Sequence, residues 1–166
     1  MISSKEIKEA YNKRAKIYDK VLEKTRYHAT LKSIIRKIKL EIPFDAKILD
    51  IGCGTGLATG VILEKYPKSE ITGLDYSENM LDLYKKRFPK LDIVIGDFNK
   101  ADNFSFFNSR KKFEFLDRGF DLIMSTGAVS EYGEIEKVIP FIYNLLKYKG
   151  VFINIGIKKN VMSLIT

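Results

Sequence analysis

The chain has 166 residues and a formal net charge of +8, and 45% of its residues are hydrophobic. This length suits one domain, residues 1–166, which buries roughly 70% of the surface that the unfolded chain exposes. One cysteine and one histidine exclude an internal disulfide framework and the usual structural zinc site, so we predict no metal. No apolar stretch approaches the roughly 18 residues of a membrane span, and the N-terminus has no apolar signal region. We therefore expect a cytoplasmic protein with no membrane partner.

The positive charge is concentrated at the N-terminus. Residues 1–47 carry 13 lysines and arginines against 6 acidic residues. A basic segment of this kind is suited to binding nucleic acid, an anionic lipid surface or an acidic substrate. It has no obvious arginine cluster, however, and a lysine-rich helix face exposed to solvent explains the same pattern.

Residues 1–45 predict a helical arm. Apolar residues recur at loose helical spacing over 4–24, and a second helix follows in which Leu31, Ile34, Ile35 and Ile38 form one stripe.

Residues 46–156 predict a core in which strands alternate with helices. The strands are expected at 48–51, 71–75, 93–96, 120–124 and 151–156, and the helices at 57–66, 78–88 and 134–148. Ser77 is the expected N-cap of the second of these helices. In the third helix, Pro140 predicts a kink or a restart, and Gly150 predicts the end of the helix. Such alternation predicts an α/β fold with a doubly wound, mostly parallel sheet, whose ligands bind beyond the carboxyl ends of the strands.

A glycine-rich loop follows the first predicted strand. It contains Gly52, Gly54 and Gly56, and glycine lets the backbone come very close to a ligand because no Cβ obstructs it. A dinucleotide-binding loop would have its third glycine at position 57, which is Leu57. The spacing therefore argues against a cofactor bound through a pyrophosphate.

The stretch ILDIGCGTG resembles the first motif of the class I (Rossmann-like) S-adenosylmethionine-dependent methyltransferases, an acidic residue followed by G-x-G-x-G. Later stretches resemble further motifs of that family in the right order over residues 46–156: ITGLD, DYSENML, IVIGDF, FDLIMSTGAV and LLKYKGVFINIG. The resemblance implies a Rossmann-like methyltransferase core with S-adenosyl-L-methionine as the cofactor.

The resemblance also implies the residues that bind this cofactor. Asp75 would accept hydrogen bonds from both ribose hydroxyls, Met80 would pack near the adenine, and Asp97 with the Phe98 backbone would read the adenine edge. The complete implied set is Asp50, Gly52, Cys53, Gly54, Gly56, Asp75, Tyr76, Met80, Asp97, Phe98, Ser125 and Tyr18. No catalytic base is assigned, because an activated methyl donor mainly requires orientation and exclusion of water.

The absence of two sequence features narrows the range of possible methyl acceptors. After the fourth predicted strand the chain lacks the Asn/Asp-Pro-Pro-aromatic motif of family members that methylate adenine or glutamine nitrogens. Its one cysteine, Cys53, lies in the glycine loop, which argues against cytosine C5 methylation. The phrase AYNKRAKIYDK is similar to the start of many small-molecule methyltransferases, with Tyr11, Arg14, Tyr18 and Asp19 at the matching positions.

We therefore predict a methyltransferase for a small-molecule acceptor. Two alternatives stay open: a tRNA or rRNA methyltransferase that uses the basic arm, and a cofactor-binding module without turnover. Tyr11 and Tyr18 either anchor the first helix in the core or cover the cofactor.

Two segments depart from the family pattern. Family members usually continue past the fifth strand with a helix and two antiparallel strands, whereas 157–166 is short. We expect a sheet of five strands whose last strand, near 151–156, is an edge open to self-association or to cover by a missing segment. The connection 99–119 is long and forms either a substrate lid or an added hairpin.

Overall fold

A mostly parallel β-sheet forms the centre of the computed structural model, which describes residues 4–100, 103–116 and 119–156. The strands are β1 (Lys47–Ile51), β2 (Glu70–Asp75), β3 (Asp92–Ile95), β4 (Ser105–Phe106), β5 (Phe120–Thr126) and β6 (Leu146–Ile155). Their order in the described sheet is β4-β3-β2-β1-β5-β6, and β4 is antiparallel to β3 while the other pairs are parallel. The predicted doubly wound α/β fold is confirmed.

Helices cover both faces of this sheet. They are α1 (Ser4–Lys24), α2 (Tyr27–Lys37), α3 (Leu57–Lys65), α4 (Glu78–Arg87), α5 (Ala128–Tyr132) and α6 (Ile135–Leu145). The predicted cap of α4 is confirmed, because the Met80 N–H donates to the Ser77 hydroxyl at 3.3 Å.

The side chains of alternate residues in β1 pack into two hydrophobic layers, one on each face of the sheet. Ile48 is fully buried in the layer that contains α2 and α3, whereas Leu49 is fully buried in the layer that contains α5 and α6. A strand covered on both faces is typical of a parallel sheet, and it explains the continuous apolar run at this point of the sequence.

The long connection after β3 forms an added hairpin. β4 pairs with β3 through Val94 and Phe106, so the described sheet has six strands where the sequence predicted five. Phe104 is buried, and its ring lies 5.0 Å from that of Phe115 and 5.7 Å from that of Phe141. The aromatic residues of this connection thus extend the core.

The predicted end of the last helix is wrong. Helix α6 ends at Leu145 instead of continuing to residue 148, and it runs through Pro140 without restarting. The chain enters β6 at once because Leu146 pairs with Phe120 on β5.

The early start of β6 is followed by an irregularity in its pairing with β5. The next pair joins Leu122 to Val151, so residues 147–150 bulge out of the register, with Lys149 at a φ of 62°. The bulge lets the Lys147 ammonium reach the Asp121 carboxylate at 2.8 Å. Gly150 therefore marks the end of this bulge and not the end of the helix.

Strand β6 lies at one edge of the described sheet. It pairs with β5, and its residues Val151, Ile153 and Ile155 are only partly buried. Tyr148, in the bulge of this strand, is 83% exposed. Residues 157–166, including Ile157, lie outside the described part of the chain.

We expect the protein to self-associate through this edge, because an apolar strand at the edge of a sheet favours pairing with another chain. Light scattering over a concentration series should show a mass that rises above 19.1 kDa. A monomer at every concentration, with the β6 amides strongly protected from hydrogen exchange, would contradict this prediction.

Candidate functional site

The loop after β1 is fixed to the end of β2. The N–H groups of Gly52 and Cys53 both donate to the Leu74 carbonyl, at 2.7 and 3.1 Å, and the Gly56 N–H closes the loop onto the Cys53 carbonyl at 2.9 Å. These bonds place the loop at the carboxyl ends of the central strands.

The three glycines of this loop serve different purposes. Gly52 has a φ of +69°, and a Cβ there would lie 2.1 Å from the Cβ of Ala128. Gly56 has a φ of +87°, and a Cβ there would lie 2.5 Å from the ring of Phe88. Gly54 also has a positive φ, +52°, but a Cβ there would meet no atom of the described residues within 4 Å. Gly52 and Gly56 therefore permit packing within the fold, whereas Gly54 leaves space for a ligand.

Asp75, at the end of β2, is joined to the glycine loop. It is buried, with Oδ2 accepting from the Gly54 N–H at 2.9 Å and Oδ1 from the Ser77 N–H at 2.8 Å. Burial raises the pKa of this carboxyl, and these backbone donors oppose the rise. A carboxylate has about four acceptor positions, so Asp75 can still accept from a ligand's hydroxyl groups.

Asp50, in β1, lies beneath the loop and is fully buried. Its Oδ2 accepts from the Thr59 hydroxyl at 2.6 Å, and that hydroxyl lies 3.2 Å from the Tyr84 hydroxyl. Its Oδ1 has no hydrogen-bond partner among the described residues. Burial raises the pKa of Asp50 to about 7, against the lowering effect of the Thr59 hydrogen bonds.

A cleft opens beside the glycine loop, between the carboxyl ends of the strands and helix α1. Eight of the sequence-predicted site residues line it: Tyr18, Gly52, Gly54, Asp75, Tyr76, Met80, Asp97 and Phe98. Ten further residues complete the lining: Ile7, Tyr11, Leu22, Tyr27, Asn99, Thr126, Gly127, Ala128, Glu131 and Tyr132.

The other four predicted site residues do not line this cleft. Asp50 and Gly56 lie beneath it, and Cys53 lines a smaller neighbouring pocket, where burial raises the pKa of its thiol. Ser125 is fully buried and its hydroxyl accepts from the Val129 N–H at 3.0 Å. The structure therefore gives Ser125 the role of tying α5 to β5.

The end of β3 contributes the far side of the cleft. Asp97 follows β3, and its Oδ1 accepts from the Asn99 N–H at 3.0 Å, which fixes the turn. Phe98 is 8% exposed and packs into the core while still reaching the cleft. The Gly96 N–H donates to the Asp75 carbonyl at 3.0 Å, so this turn and Asp75 are held side by side.

Helix α1 is attached across the cleft by polar contacts. The Asp19 carboxylate accepts from the Thr55 hydroxyl at 2.5 Å and from the Arg87 guanidinium at 2.6 Å. Nearer the N-terminus, the Asn12 Oδ1 accepts from the Ser77 hydroxyl at 2.6 Å. The arm thus bridges the glycine loop and both ends of α4, and it places tyrosines over the cleft.

Glu131 and Tyr132, at the end of α5, are site residues that sequence reasoning missed. The Tyr132 and Tyr11 hydroxyls lie 3.3 Å apart, and the two rings meet edge to face at 6.0 Å. Both residues follow closely on the fourth predicted strand, and this position was the signal that could have found them.

Comparison with known proteins identifies a family for most of this core. A family model described as "Methyltransferase domain" matches residues 49–152. A malonyl-[acyl-carrier protein] O-methyltransferase of Priestia megaterium is 27% identical over 154 residues, which is 90% of this chain and 50% of that protein. A demethylmenaquinone methyltransferase of Thermotoga maritima is 33% identical over 104 residues, 63% of this chain and 40% of that protein.

A solved structure has the same fold. It is a phosphoethanolamine N-methyltransferase 2 of Haemonchus contortus in complex with S-adenosyl-L-methionine, with a TM-score of 0.61 and 19% identity. The match covers 82% of this chain and 31% of that one. The chain spans about half the length of the first curated relatives it matches.

Neither a membrane-spanning helix nor a metal-binding cluster was found in the part of the chain that the structure describes. None of its described helices is long and apolar enough to cross a bilayer, and its described residues hold no group of three or more His, Cys, Asp or Glu side chains placed to share a metal ion.

The geometry of three glycines predicts that their substitution by alanine changes the free energy of unfolding by unequal amounts. Gly52→Ala should lower the free energy of unfolding by about 2–5 kcal/mol, because the positive φ and the clash with Ala128 both oppose it. Gly54→Ala should cost only about 1–2 kcal/mol, since the new methyl group meets open space. Gly60→Ala is the control, because Gly60 lies inside α3 and a Cβ there makes an ordinary 3.6 Å contact. Urea unfolding measures all three, and equal losses at Gly52 and Gly54 would refute the distinction.

The raised pKa of Asp50 predicts a pH-dependent loss of stability. Its pKa of about 7 in the folded protein lies above the roughly 3.9 of an unfolded aspartate. Between these values the folded state holds a proton that the unfolded state has released, so stability falls as pH rises through this window. We expect the wild type to lose stability relative to Asp50→Asn between pH 5 and pH 8 in urea unfolding. A difference between the two proteins that does not change with pH would show that Asp50 does not titrate in this way.

Proposed function

We propose that this chain, which belongs to the class I S-adenosylmethionine-dependent methyltransferases, binds S-adenosylmethionine in the cleft and transfers its methyl group to a small-molecule acceptor. The observation that carries the proposal is the 2.9 Å hydrogen bond from the Gly54 N–H to Asp75. It joins the open backbone of the glycine loop, which follows β1 beside the switch point between β1 and β5, to a buried acceptor at the end of β2. Such folds bind ligands beyond the carboxyl ends of the strands at the switch point. We treat residues 1–166 as one domain, with 1–45 as its arm and 46–156 as its cofactor-binding core.

The residues that line the cleft suit this cofactor. The Asp75 carboxylate offers acceptors for two ribose hydroxyls, and Met80 and Phe98 offer apolar surface for a flat base. Gly54 leaves room for the ligand because it has no Cβ.

The protein's own part in methyl transfer is orientation and exclusion of water. When bound, S-adenosylmethionine supplies a methyl group whose bond to a cationic sulfur breaks with its electrons going to sulfur, while an acceptor lone pair forms the new bond. Helix α1 lies over the cleft and is held there by Asn12 and Asp19. Burial raises the pKa of Tyr11 and Tyr18, so both side chains stay neutral. They therefore help to cover the cleft without supplying a base.

A small-molecule acceptor is favoured over RNA. Relatives named for methylation of demethylmenaquinone and trans-aconitate support this acceptor class. No lysine, arginine or histidine lines the cleft among the described residues, although the segment 1–47 is strongly basic. RNA methylation, self-association and a cytoplasmic location remain predictions from the sequence.

The proposal predicts specific binding of S-adenosylhomocysteine, the demethylated cofactor. It should raise the melting temperature by mass action, and NAD should not. Asp75→Ala should weaken its binding about 10- to 100-fold, because two hydroxyl groups lose a charged partner. Calorimetric titration measures the affinity of each variant.

Asp82→Ala is the matched control, since Asp82 is an exposed carboxylate on α4 that does not line the cleft. Its affinity for S-adenosylhomocysteine should equal that of the wild type. Stabilisation by NAD alone, or equal affinities for Asp75→Ala and Asp82→Ala, would overturn the proposed cofactor site.

A further inference from the structure

The side chain of Asn99, in the segment after β3, joins two parts of the cleft wall. Its Nδ2 donates to the Tyr132 carbonyl at 3.1 Å, and its Oδ1 accepts from the Glu134 N–H at 2.7 Å. A carbonyl only accepts and an N–H only donates, so a single orientation of the side-chain amide satisfies both partners. We call this pair of hydrogen bonds the Asn99 link, which connects the end of β3 to the junction of α5 with α6.

The junction of α5 with α6 is a place where such a link matters. Helix α5 has five residues, Ala128–Tyr132, and a helix this short has little stability of its own. Backbone groups at the ends of helices also lack partners within the helix. Glu134 is the N-cap of α6, and its side chain makes no capping hydrogen bond. The Asn99 link therefore satisfies one backbone group on each side of the junction and fixes where the junction lies.

The other end of the link is the turn that carries Asp97. The Asn99 N–H donates to the Asp97 Oδ1 at 3.0 Å, and the Lys100 N–H donates to the Asp97 carbonyl at 2.8 Å. The Gly96 N–H donates to the Asp75 carbonyl at 3.0 Å. These bonds set the shape of the turn and hold it beside β2. The side chain of Asn99 joins the same turn to α5 and α6.

Both ends of the link contribute to the lining of the cleft. Asp97, Phe98 and Asn99 line it from the turn after β3, and Tyr132 lines it from α5. The link therefore sets the spacing between these two parts of the wall. Without it, the turn would keep its bonds to β2 but would be released from α5, and the Asp97 carboxylate would shift more freely.

The position of Asp97 matters for a ligand that contains adenine. A carboxylate only accepts hydrogen bonds, and it has about four acceptor positions. The edge of adenine offers an amino donor, whereas hypoxanthine has a carbonyl acceptor in its place. Hydrogen bonds weaken steeply when they are misaligned. A carboxylate that is held in place can therefore distinguish the two bases, and one that shifts distinguishes them less well.

We propose that Asn99 is a positioning residue for base recognition: its side-chain amide holds the turn that carries Asp97 against the junction of α5 with α6, so that Asp97 selects adenine over hypoxanthine. This inference rests on the proposed function, in which Asp97 meets the adenine edge of the cofactor. Asn99 acts through Asp97 and not by its own contact with the base.

The test is calorimetric titration of the full chain with S-adenosylhomocysteine and with S-inosylhomocysteine, which differ in the base alone. The wild type should bind the first compound at least about tenfold more tightly. The quantity compared among variants is the ratio of these two affinities. A variant that is partly unfolded binds both compounds more weakly by the same factor, so a loss of stability by itself leaves the ratio unchanged.

Asn99→Ala and Asn99→Leu should each lower this ratio at least about threefold. Leucine branches as asparagine does but makes neither hydrogen bond, so it separates loss of the link from loss of packing. Asn108→Ala is the matched control, because Asn108 is exposed in the turn after β4 and does not line the cleft. Its ratio should equal that of the wild type. A wild-type ratio in either Asn99 variant would overturn the inference.

A double variant tests whether Asn99 acts through Asp97. Asp97→Ala should lower the ratio towards one, and the addition of Asn99→Ala should lower it no further. A further fall would overturn the inference, because Asn99 would then act on the base independently of Asp97.

The same titrations separate this inference from the proposed function. If S-adenosylhomocysteine does not bind the wild type, the proposed function fails and this inference fails with it. If it binds, but no more tightly than S-inosylhomocysteine, the proposed function stands and the role of Asn99 in base recognition is overturned.

Discussion

The carbonyl of Leu74 accepts two N–H groups from the glycine loop, and the geometry of the candidate site depends on this contact. It brings the loop after β1 to the end of β2, where Asp75 can accept the Gly54 N–H. The loop can adopt this path because its glycines have positive φ, and because Gly52 lets Ala128 of α5 come close. A side chain at Gly52 would separate α5 from the loop and move the part of the cleft wall that α5 supplies.

The site is built around two carboxylates that the fold holds out of water. Burial opposes the charged form of both Asp50 and Asp75, but their surroundings differ. Asp75 has backbone donors on both oxygens, whereas Asp50 has one hydroxyl donor and an unpaired oxygen. The fold therefore bears a cost in stability at Asp50.

Helix α1 of the basic N-terminal arm is attached to the core through polar residues that are not basic. Asn12 and Asp19 attach α1 to the loop and to α4, and Tyr11 reaches Tyr132. The ion pair of Asp19 with Arg87 is partly exposed, so we attribute the arm's position to the combined contacts more than to this pair. No basic side chain lines the cleft among the described residues, where the lining is mainly aromatic and acidic.

The sequence alone determined the order of strands and helices, the doubly wound sheet and the glycine loop, because apolar periodicity and glycine spacing are local patterns. It also indicated Asp75 and Asp97, since both directly follow predicted strands. It could not determine that residue 146 leaves α6 for β6, because that depends on pairing with Phe120. Nor could it determine that the Ser125 hydroxyl accepts from the Val129 N–H of α5 or that Tyr132 meets Tyr11. Those contacts join residues from separate elements, and only the packing of α1, α5 and the sheet brings them within reach.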